Sequence, residues 1–312
     1  MTNAVNAIIL AAGKGTRMKS STIKVLHDIS GKSILSHVID TIKALSIRAI
    51  YLVVGYQEDK IKARLNDESL TFVTQKEQLG TGHAVKEVLP FIDPTNPLTF
   101  VLAGDTPLIK ASTIEGMLAV HEEKKAAATL LTAQMPEPKG YGRIIRSESD
   151  AVLAIVEEKD CTDTQRNIRE INSGVYIFDT TLLLKHIDDL NSANKQNEFY
   201  LTDLVKIFNE EGHLVAAVSV TDPDELLGVN TRQDLAKAYA TMNAAVLEKH
   251  MNNGVTILDP SSTFIDASVV IGEDSIIQPF SVIRGNSQIG KACRVSAFSN
   301  VQNLQLADGD TV

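Results

Sequence analysis

The chain has 312 residues, 44% of them hydrophobic, and a formal charge of −9. That apolar share supports a sizeable core, and the length allows more than one domain. Net acidity argues against a general nucleic-acid or membrane-surface binder, because such proteins need clustered cations to meet phosphate. The exception is local: Lys14, Arg17, Lys19 and Lys24 all precede the first acid, Asp28.

The first apolar run, "AIILAA" at 7–12, has no basic flank before it and is too short to span a bilayer, so it reads as a buried strand. Further β-branched runs follow at 49–55, near 70, at 97–104 and at 126–134. Helix-periodic stretches lie between them, such as Ile34, Val38, Ile39 and Ile42, then Ile114, Met117 and Leu118. Strand and helix in alternation predict an α/β domain with a parallel sheet covered on both faces, whose ligands sit outside the carboxyl ends of the strands. From about 140 the runs "GYGRIIR", "AVLAIVEE" and "INSGVYIFDT" have little helix between them, which predicts a second sheet facing the first.

Leu235, Tyr239, Met242 and Val246 then form one apolar helical stripe, with the helix ending near "NNG" at 252–254. Beyond it, counting by six from Ile265 meets Ile271, Ile277, Ile283, Ile289, Val295 and Val301 without a miss. That period belongs to neither a helix nor a simple strand; it is the signature of a hexapeptide β-helix whose repeated residue points into a prism-shaped core. The expected domains are 1–230, a linking helix at 231–253, and a short β-helix at 254–312. Cys161 and Cys293 lie far apart with no metal-ligand or redox spacing, which predicts reduced cysteines and a cytoplasmic protein.

The sharpest local question is the loop after the first strand, "AAGKGTRMKSSTIK" at 11–24. A dinucleotide fingerprint fails at its third position, where Met18 stands, and the acids Glu58 and Asp59 come at roughly twice the spacing that fingerprint uses. A P-loop fails because the position five before Gly31 is Leu26. What remains is a glycine-rich turn whose amides approach phosphate, with Arg17 and Lys24 adding charge that amides lack. A plain tight turn carrying solvated cations is the alternative, and it is the preferred reading of Lys19. On residues alone Asp105 reads equally as a metal ligand at the end of strand "LTFVLAG" or as an Asx turn before Pro107. Asn230 reads as a helix N-cap, and His83 as a capping or packing residue.

In order along the chain, "LAAGKGTRM…KVLH", "QKEQLGTGHA" (75–84), "LAGDTPL", "GYGRI", "VEEKD", "EINSGVY", "EFYLTD" and "GVNTR" resemble the uridylyltransferase half of one family. It is the bifunctional N-acetylglucosamine-1-phosphate uridylyltransferase/glucosamine-1-phosphate acetyltransferase family, GlmU. The resemblance runs from about 5 to 250 and continues into the hexapeptide series. It implies a Rossmann-like nucleotidyltransferase fold followed by a left-handed β-helix, and transfer of UMP from UTP to N-acetylglucosamine 1-phosphate. Arg17 and Lys24 would serve catalysis at the phosphates, and Asp105 and Asn230 would hold Mg2+. Ala11, Gly13, Gln75, Gly80 and Thr81 would form the uracil pocket. Gly142, Glu157, Asn172, Tyr200 and Thr202 would form the sugar site.

Glu158, Lys159 and Asp160 are expected to be a solvated charge run. Two positions depart from the family pattern: Ile23 stands where proline is common before the loop lysine, and Ala103 where tyrosine is common. The residues that serve acetyl transfer have no counterpart, so no acetyltransferase activity is expected. Neither nucleic acid nor membrane is expected as a partner, and the β-helix hints at a homotrimer. The rival readings are a nucleotidyltransferase for another sugar phosphate or nucleotide, and a catalytically silent β-helix scaffold.

Overall fold

The computed structural model describes residues 5–47 and 49–312; positions 1–4 of the expected first domain lie outside them. The described strands of the first two-thirds are β1 (Val5–Leu10), β2 (Asp28–Ile29), β3 (Lys32–Ser33), β4 (Ala49–Val54), β5 (Leu70–Thr74) and β6 (Leu98–Ala103). They continue with β7 (Ala128–Gln134), β8 (Gly142–Arg146), β9 (Val152–Val156), β10 (Glu170–Asp179) and β11 (Val215–Ser219). The helices are α1 (Ile34–Ala44), α2 (Glu58–Leu65), α3 (Thr81–Lys86), α4 (Ala111–Lys124), α5 (Asp163–Arg166), α6 (Thr180–His186), α7 (Asp203–Glu210) and α8 (Arg232–Asn252). The described residues fall into two compact units. One holds the residues up to Leu26 with Leu35–Gly228, the other His27–Ile34 with Val229–Val312.

In the first unit the sheet order is β11-β7-β10-β6-β1-β4-β5, with β8 and β9 extending from β10. Alternate side chains of β1 enter opposite cores, as the two-residue period of a strand requires. Val5, Ala7 and Ile9 pack with α1 and α4 residues such as Val38, Ile42 and Met117. Ile8 packs with Val85, Leu183, Leu204 and Phe208 of α3, α6 and α7. Both faces are therefore covered, and the central strands read as continuous apolar runs for that reason.

Two expectations need correction. The sheet is mixed rather than parallel, because β10 runs antiparallel to both β6 and β7. The strands from 140 onward do not make a second, facing sheet. β8 and β9 form a hairpin that pairs with the start of β10 through Ile171↔Arg143 and Asn172↔Gly142, so they lengthen the first sheet. The ten residues of β10 make this possible: its first part pairs with β8 and β7, its last part with β6 and β7.

In the second unit, three parallel three-stranded ladders form a three-sided solenoid. The hexad residues stack in register: Ile277 on Val295, Ile265 on Ile283 and Val301, Ile271 on Ile289. Six of the seven predicted core positions are buried and Val301 is half-buried. The count of six holds only inside this run. Ile257 pairs with Ile277 across twenty residues, and Leu306, not Ala307, stacks on Ile289. A second series at the same period, Ser275, Ser281, Ser287 and Cys293, is also buried, and the Ser281 and Ser287 hydroxyls each donate to a carbonyl three residues back at 2.7 Å.

Helix α8 belongs to this unit. Its most buried residues are Ala238, Asn243, Leu247 and His250, so the predicted stripe of Leu235, Tyr239, Met242 and Val246 lies half-buried on the flank of the covered face. Asn243 explains the rotation. Its amide donates to the Thr263 carbonyl at 2.9 Å and its oxygen accepts from the Ile265 amide at 3.1 Å, clamping the helix to the first solenoid coil. The β2–β3 hairpin docks on the same coil: the Ala267 amide donates to the Ser30 carbonyl at 3.1 Å, and Gly31, with φ of 88°, leaves no room for a side chain beside Asp266.

Candidate active site

The loop after β1 leaves the sheet between its neighbours β4 and β6. Gly15 adopts φ of 60°, and a Cβ there would stand 2.5 Å from the Lys24 Cβ, so only glycine lets the loop fold back onto Lys24. Met18 is buried. The residue that breaks the dinucleotide fingerprint thus anchors a 3-10 turn, Thr16–Met18, that carries Arg17 on its exposed side.

Lys24 forms an ion pair with the Oδ2 of Asp105, which stands two residues beyond the end of β6; their side chains are 14% and 16% exposed. No turn amide donates to the Asp105 carboxylate among the described residues, so the Asx-turn reading falls away. The loop cation and the strand-end carboxylate, 81 positions apart in the chain, form a single charged feature at the carboxyl end of the sheet.

Beside it lies a cleft of about 210 Å³ lined by Leu10, Ala12, Gly13, Gln75, Gln78, Gly80, Thr81, Ala84 and Glu198. It gathers four of the five residues expected for the base. A Cβ on Gly13 would meet open space, so this glycine leaves room in the cleft itself. Ala11 is the exception: its side chain is buried in the core and its amide donates to the Val53 carbonyl at 2.8 Å. The Gln75 amide group donates to the Gly80 carbonyl at 3.2 Å and meets the His83 Nδ1 at 3.0 Å. Thr81 accepts from the Leu201 amide at 3.1 Å, which ties α3 to the 198–202 segment.

That segment also borders a second hollow of about 300 Å³, lined among others by Glu157, Asp160, Asn194, Tyr200, Thr202 and Asp203. Thr202 donates to Glu157 Oε1 at 3.2 Å. A Cβ on Gly142 would lie 3.5 Å from both Glu157 Oε2 and the Asn172 Cβ, so Gly142 is where backbone passes between these two side chains. Asn172 donates to the Tyr176 hydroxyl at 2.6 Å and is aimed by an irregularity of β10 between Asn172 and Tyr176, where Gly174 has φ of 79°. Burial holds the Glu157 carboxyl above the usual carboxylate range, with Asp203, Asp160 and Glu198 adding like charge and Thr202 opposing them. Burial likewise pushes the Tyr200 hydroxyl up to about 12.

Of the charge run after Glu157, Lys159 is exposed as expected, whereas Glu158 and Asp160 are half-buried. Asp160 accepts from the Tyr200 hydroxyl at 3.1 Å and from the Lys195 amide at 3.1 Å, and Lys159 donates to Gln196 at 2.6 Å. Glu158 pairs with the fully buried Arg143 at 2.8 Å. Run-like composition concealed this, since each partner lies far away in sequence or, like Arg143, inside the sheet extension. Asn230 lies in the second unit and is not the N-cap of α8: Thr231 is, in a capping box with Asp234, while the Asn230 amide donates to Asp234 Oδ2 at 3.0 Å.

Among the described residues no group of three or more His, Cys, Asp or Glu could hold a metal ion. That excludes an all-protein cage there, not a hard cation that keeps waters and substrate phosphates and needs one or two protein oxygens. The Asp105 carboxylate at the sheet end, beside a cationic loop, fits such a shared site.

A basic glycine-rich loop at the carboxyl end of a sheet covered on both faces, flanked by a base-sized cleft and an acidic polar hollow, defines a nucleotidyltransferase. In agreement, residues 7–169 match the MobA-like NTP transferase domain, and residues 268–303 match the bacterial transferase hexapeptide (six repeats). The bifunctional protein GlmU of Brevibacillus brevis is 44% identical over 308 residues, covering 99% of this chain and 67% of that protein. GlmU of Levilactobacillus brevis is 45% identical over 307 residues, 98% and 67% of the two chains, and that of Latilactobacillus sakei 44% over 303 residues, 97% and 65%. The chain belongs to the GlmU family, and it spans about two-thirds of the length of these relatives.

Proposed function

We propose that this chain transfers UMP from UTP to N-acetylglucosamine 1-phosphate, forming UDP-N-acetylglucosamine and pyrophosphate. The observation that carries the proposal is the Lys24–Asp105 pair set beside a cleft holding Gln75, Gly80 and Thr81 and a hollow holding Glu157, Tyr200 and Thr202. The first cleft suits a planar base read by an amide. The second offers carboxylate, hydroxyl and amide groups to the hydroxyls and acetamido group of a sugar, and a wrong epimer would leave some of these buried groups unpaired.

A phosphate oxygen of the sugar phosphate attacks the α-phosphorus of UTP, and the bond to the β-phosphate oxygen breaks as pyrophosphate leaves. The nucleophile is already an anion, so the chain's task is to align it and to balance charge; no general base is required. Lys24 and Arg17 offset charge on the phosphates. Asp105, with Asn230 as the second group that the family resemblance implies, would hold Mg2+, which when bound supplies further neutralisation of the triphosphate. Asn172 and Glu157 orient the sugar, and Gln75 with the Gly80 backbone orients the base.

The reaction is proposed to run in the cytoplasm; among the described residues no helix is long and apolar enough to cross a membrane. The product would feed cell-wall polymer synthesis, and the solenoid favours a trimer. The test is pyrophosphate release from UTP and magnesium with N-acetylglucosamine 1-phosphate, glucosamine 1-phosphate or glucose 1-phosphate. Release with the acetylated sugar alone supports the proposal. Release with another sugar keeps the chemistry and changes the substrate, and no release with any of them refutes the proposal.

A further inference from the structure

The structure assigns His83 a role in base selection, as a positioning residue that locks the Gln75 amide with only its oxygen available to the cleft. This rests on reading that cleft as the uracil site. Glu87 stands one helical turn beyond His83, and its Oε1 lies 3.1 Å from the His83 Nε2. A carboxylate only accepts hydrogen bonds, so the imidazole proton belongs on Nε2 and Nδ1 is left as an acceptor. Gln75 faces that Nδ1 at 3.0 Å and the Gly80 carbonyl at 3.2 Å. Both neighbours accept, so it is the amide nitrogen that must face them, and both of its N–H groups are spent there.

The consequence concerns the ligand. Gln75 is 3% exposed and lines the cleft, and the one group it has left to offer is a carbonyl oxygen. Uracil presents an N3–H donor between two carbonyls, whereas cytosine presents a bare N3 acceptor at the same place. A locked acceptor pairs with the first and repels the second. If the amide were free to flip, its NH2 would suit cytosine N3, so discrimination depends on what prevents the flip. The Gly80 carbonyl is one restraint, and the His83–Glu87 pair is the other.

Equilibrium binding of UTP and of CTP to the full chain, measured by calorimetry in magnesium buffer, tests this. His83→Leu should reduce the CTP-to-UTP ratio of dissociation constants by about tenfold, the scale of one net hydrogen bond. His83→Asn, which returns an acceptor to the position of Nδ1, should hold the ratio within about twofold of wild type. A merely structural His83 would alter both nucleotides equally; an unchanged ratio in a folded His83→Leu chain overturns the inference. Should His83→Leu fail to fold, Glu87→Leu takes its place, since Glu87 lies at the surface and only biases the tautomer. There, a fall of about threefold supports the inference and an unchanged ratio overturns it. Wild-type chain that prefers UTP yet releases no pyrophosphate with any sugar phosphate sinks the proposed reaction and leaves this inference standing. Wild-type chain that binds both nucleotides equally refutes it.

Discussion

Separating structure from catalysis at the Lys24–Asp105 pair requires two single substitutions and their combination. Lys24→Met removes the cation paired with the Asp105 carboxylate, and Asp105→Asn removes that carboxylate's charge from beside Lys24. Breaking a fully buried pair from one side costs about 3–5 kcal/mol, and an exposed pair is worth less than about 1. With 14% and 16% of the side chains exposed, each single substitution should cost about 2 kcal/mol. The double variant has no stranded charge and should cost no more than about 1 kcal/mol, a coupling of about 3–4 kcal/mol against the sum of the singles. Urea denaturation followed by far-UV circular dichroism reads this, since the chain has no tryptophan. Pyrophosphate release reads the other half. All three variants should lose at least about 100-fold in kcat/KM, because the charges act on phosphates as well as on each other. Double-variant instability equal to the sum of the singles would show that no pair exists in solution. Recovery of turnover in the double variant would show that the charges serve folding alone.

Three further outcomes are expected. Glu157→Gln should raise KM for the sugar phosphate by about tenfold or more, the scale of a hydrogen bond to a charged group. It should also remove a pH slope. Burial raises the Glu157 carboxyl in the folded chain, which therefore holds more protons than the unfolded chain between the ordinary carboxylate range and the raised value. Wild-type stability is lost as pH rises through that window, and melts at pH 5 and 8 should show less loss in the variant; an identical slope counts against the assignment. Asn243→Leu strands the buried Ile265 amide and Thr263 carbonyl and should cost about 2–4 kcal/mol in denaturation, with a loss below about 1 arguing that the clamp is incidental. Chelation of divalent cations should abolish pyrophosphate release and magnesium should restore it, while Asn230→Ala should raise the magnesium concentration needed; activity indifferent to chelator would remove the metal from the mechanism.

What could be read from the sequence is what has a short period or a local motif. The hexad from Ile265 to Val301 was visible because each core position recurs at a fixed interval, and the five apolar runs of the first 134 residues were visible because strands buried on both faces are apolar throughout. Their ladder partners were not. Nothing within β10 announces that it runs antiparallel between β6 and β7, because direction is settled by the connection through the β8–β9 hairpin and by which edge remains to be paired. For the candidate site, residue types in the glycine-rich loop pointed to a phosphate loop and the family resemblance implied a base cleft around "QLGTGHA", but the hydrogen bonds that aim these residues did not show. The Glu87–His83–Gln75 chain runs through a turn and a helix, and the aim of Asn172 depends on an irregularity that no spacing reveals.

The same reasoning explains why the apolar stripe of α8 lies slightly off its buried face. An apolar stripe marks the side of a helix that water disfavours, yet a buried asparagine can turn the contact face when it satisfies two backbone groups that nothing else reaches. In α8 Asn243 meets the Thr263 carbonyl and the Ile265 amide of the first solenoid coil, where the hexad count begins at Ile265 just beyond the Pro260–Ser262 turn. An apolar residue at 243 would have matched the periodicity better and left that coil with two buried, unpaired groups. Polar exceptions to a hydrophobic pattern are thus most informative where one regular repeat gives way to another, and Asn243 sits at such a junction.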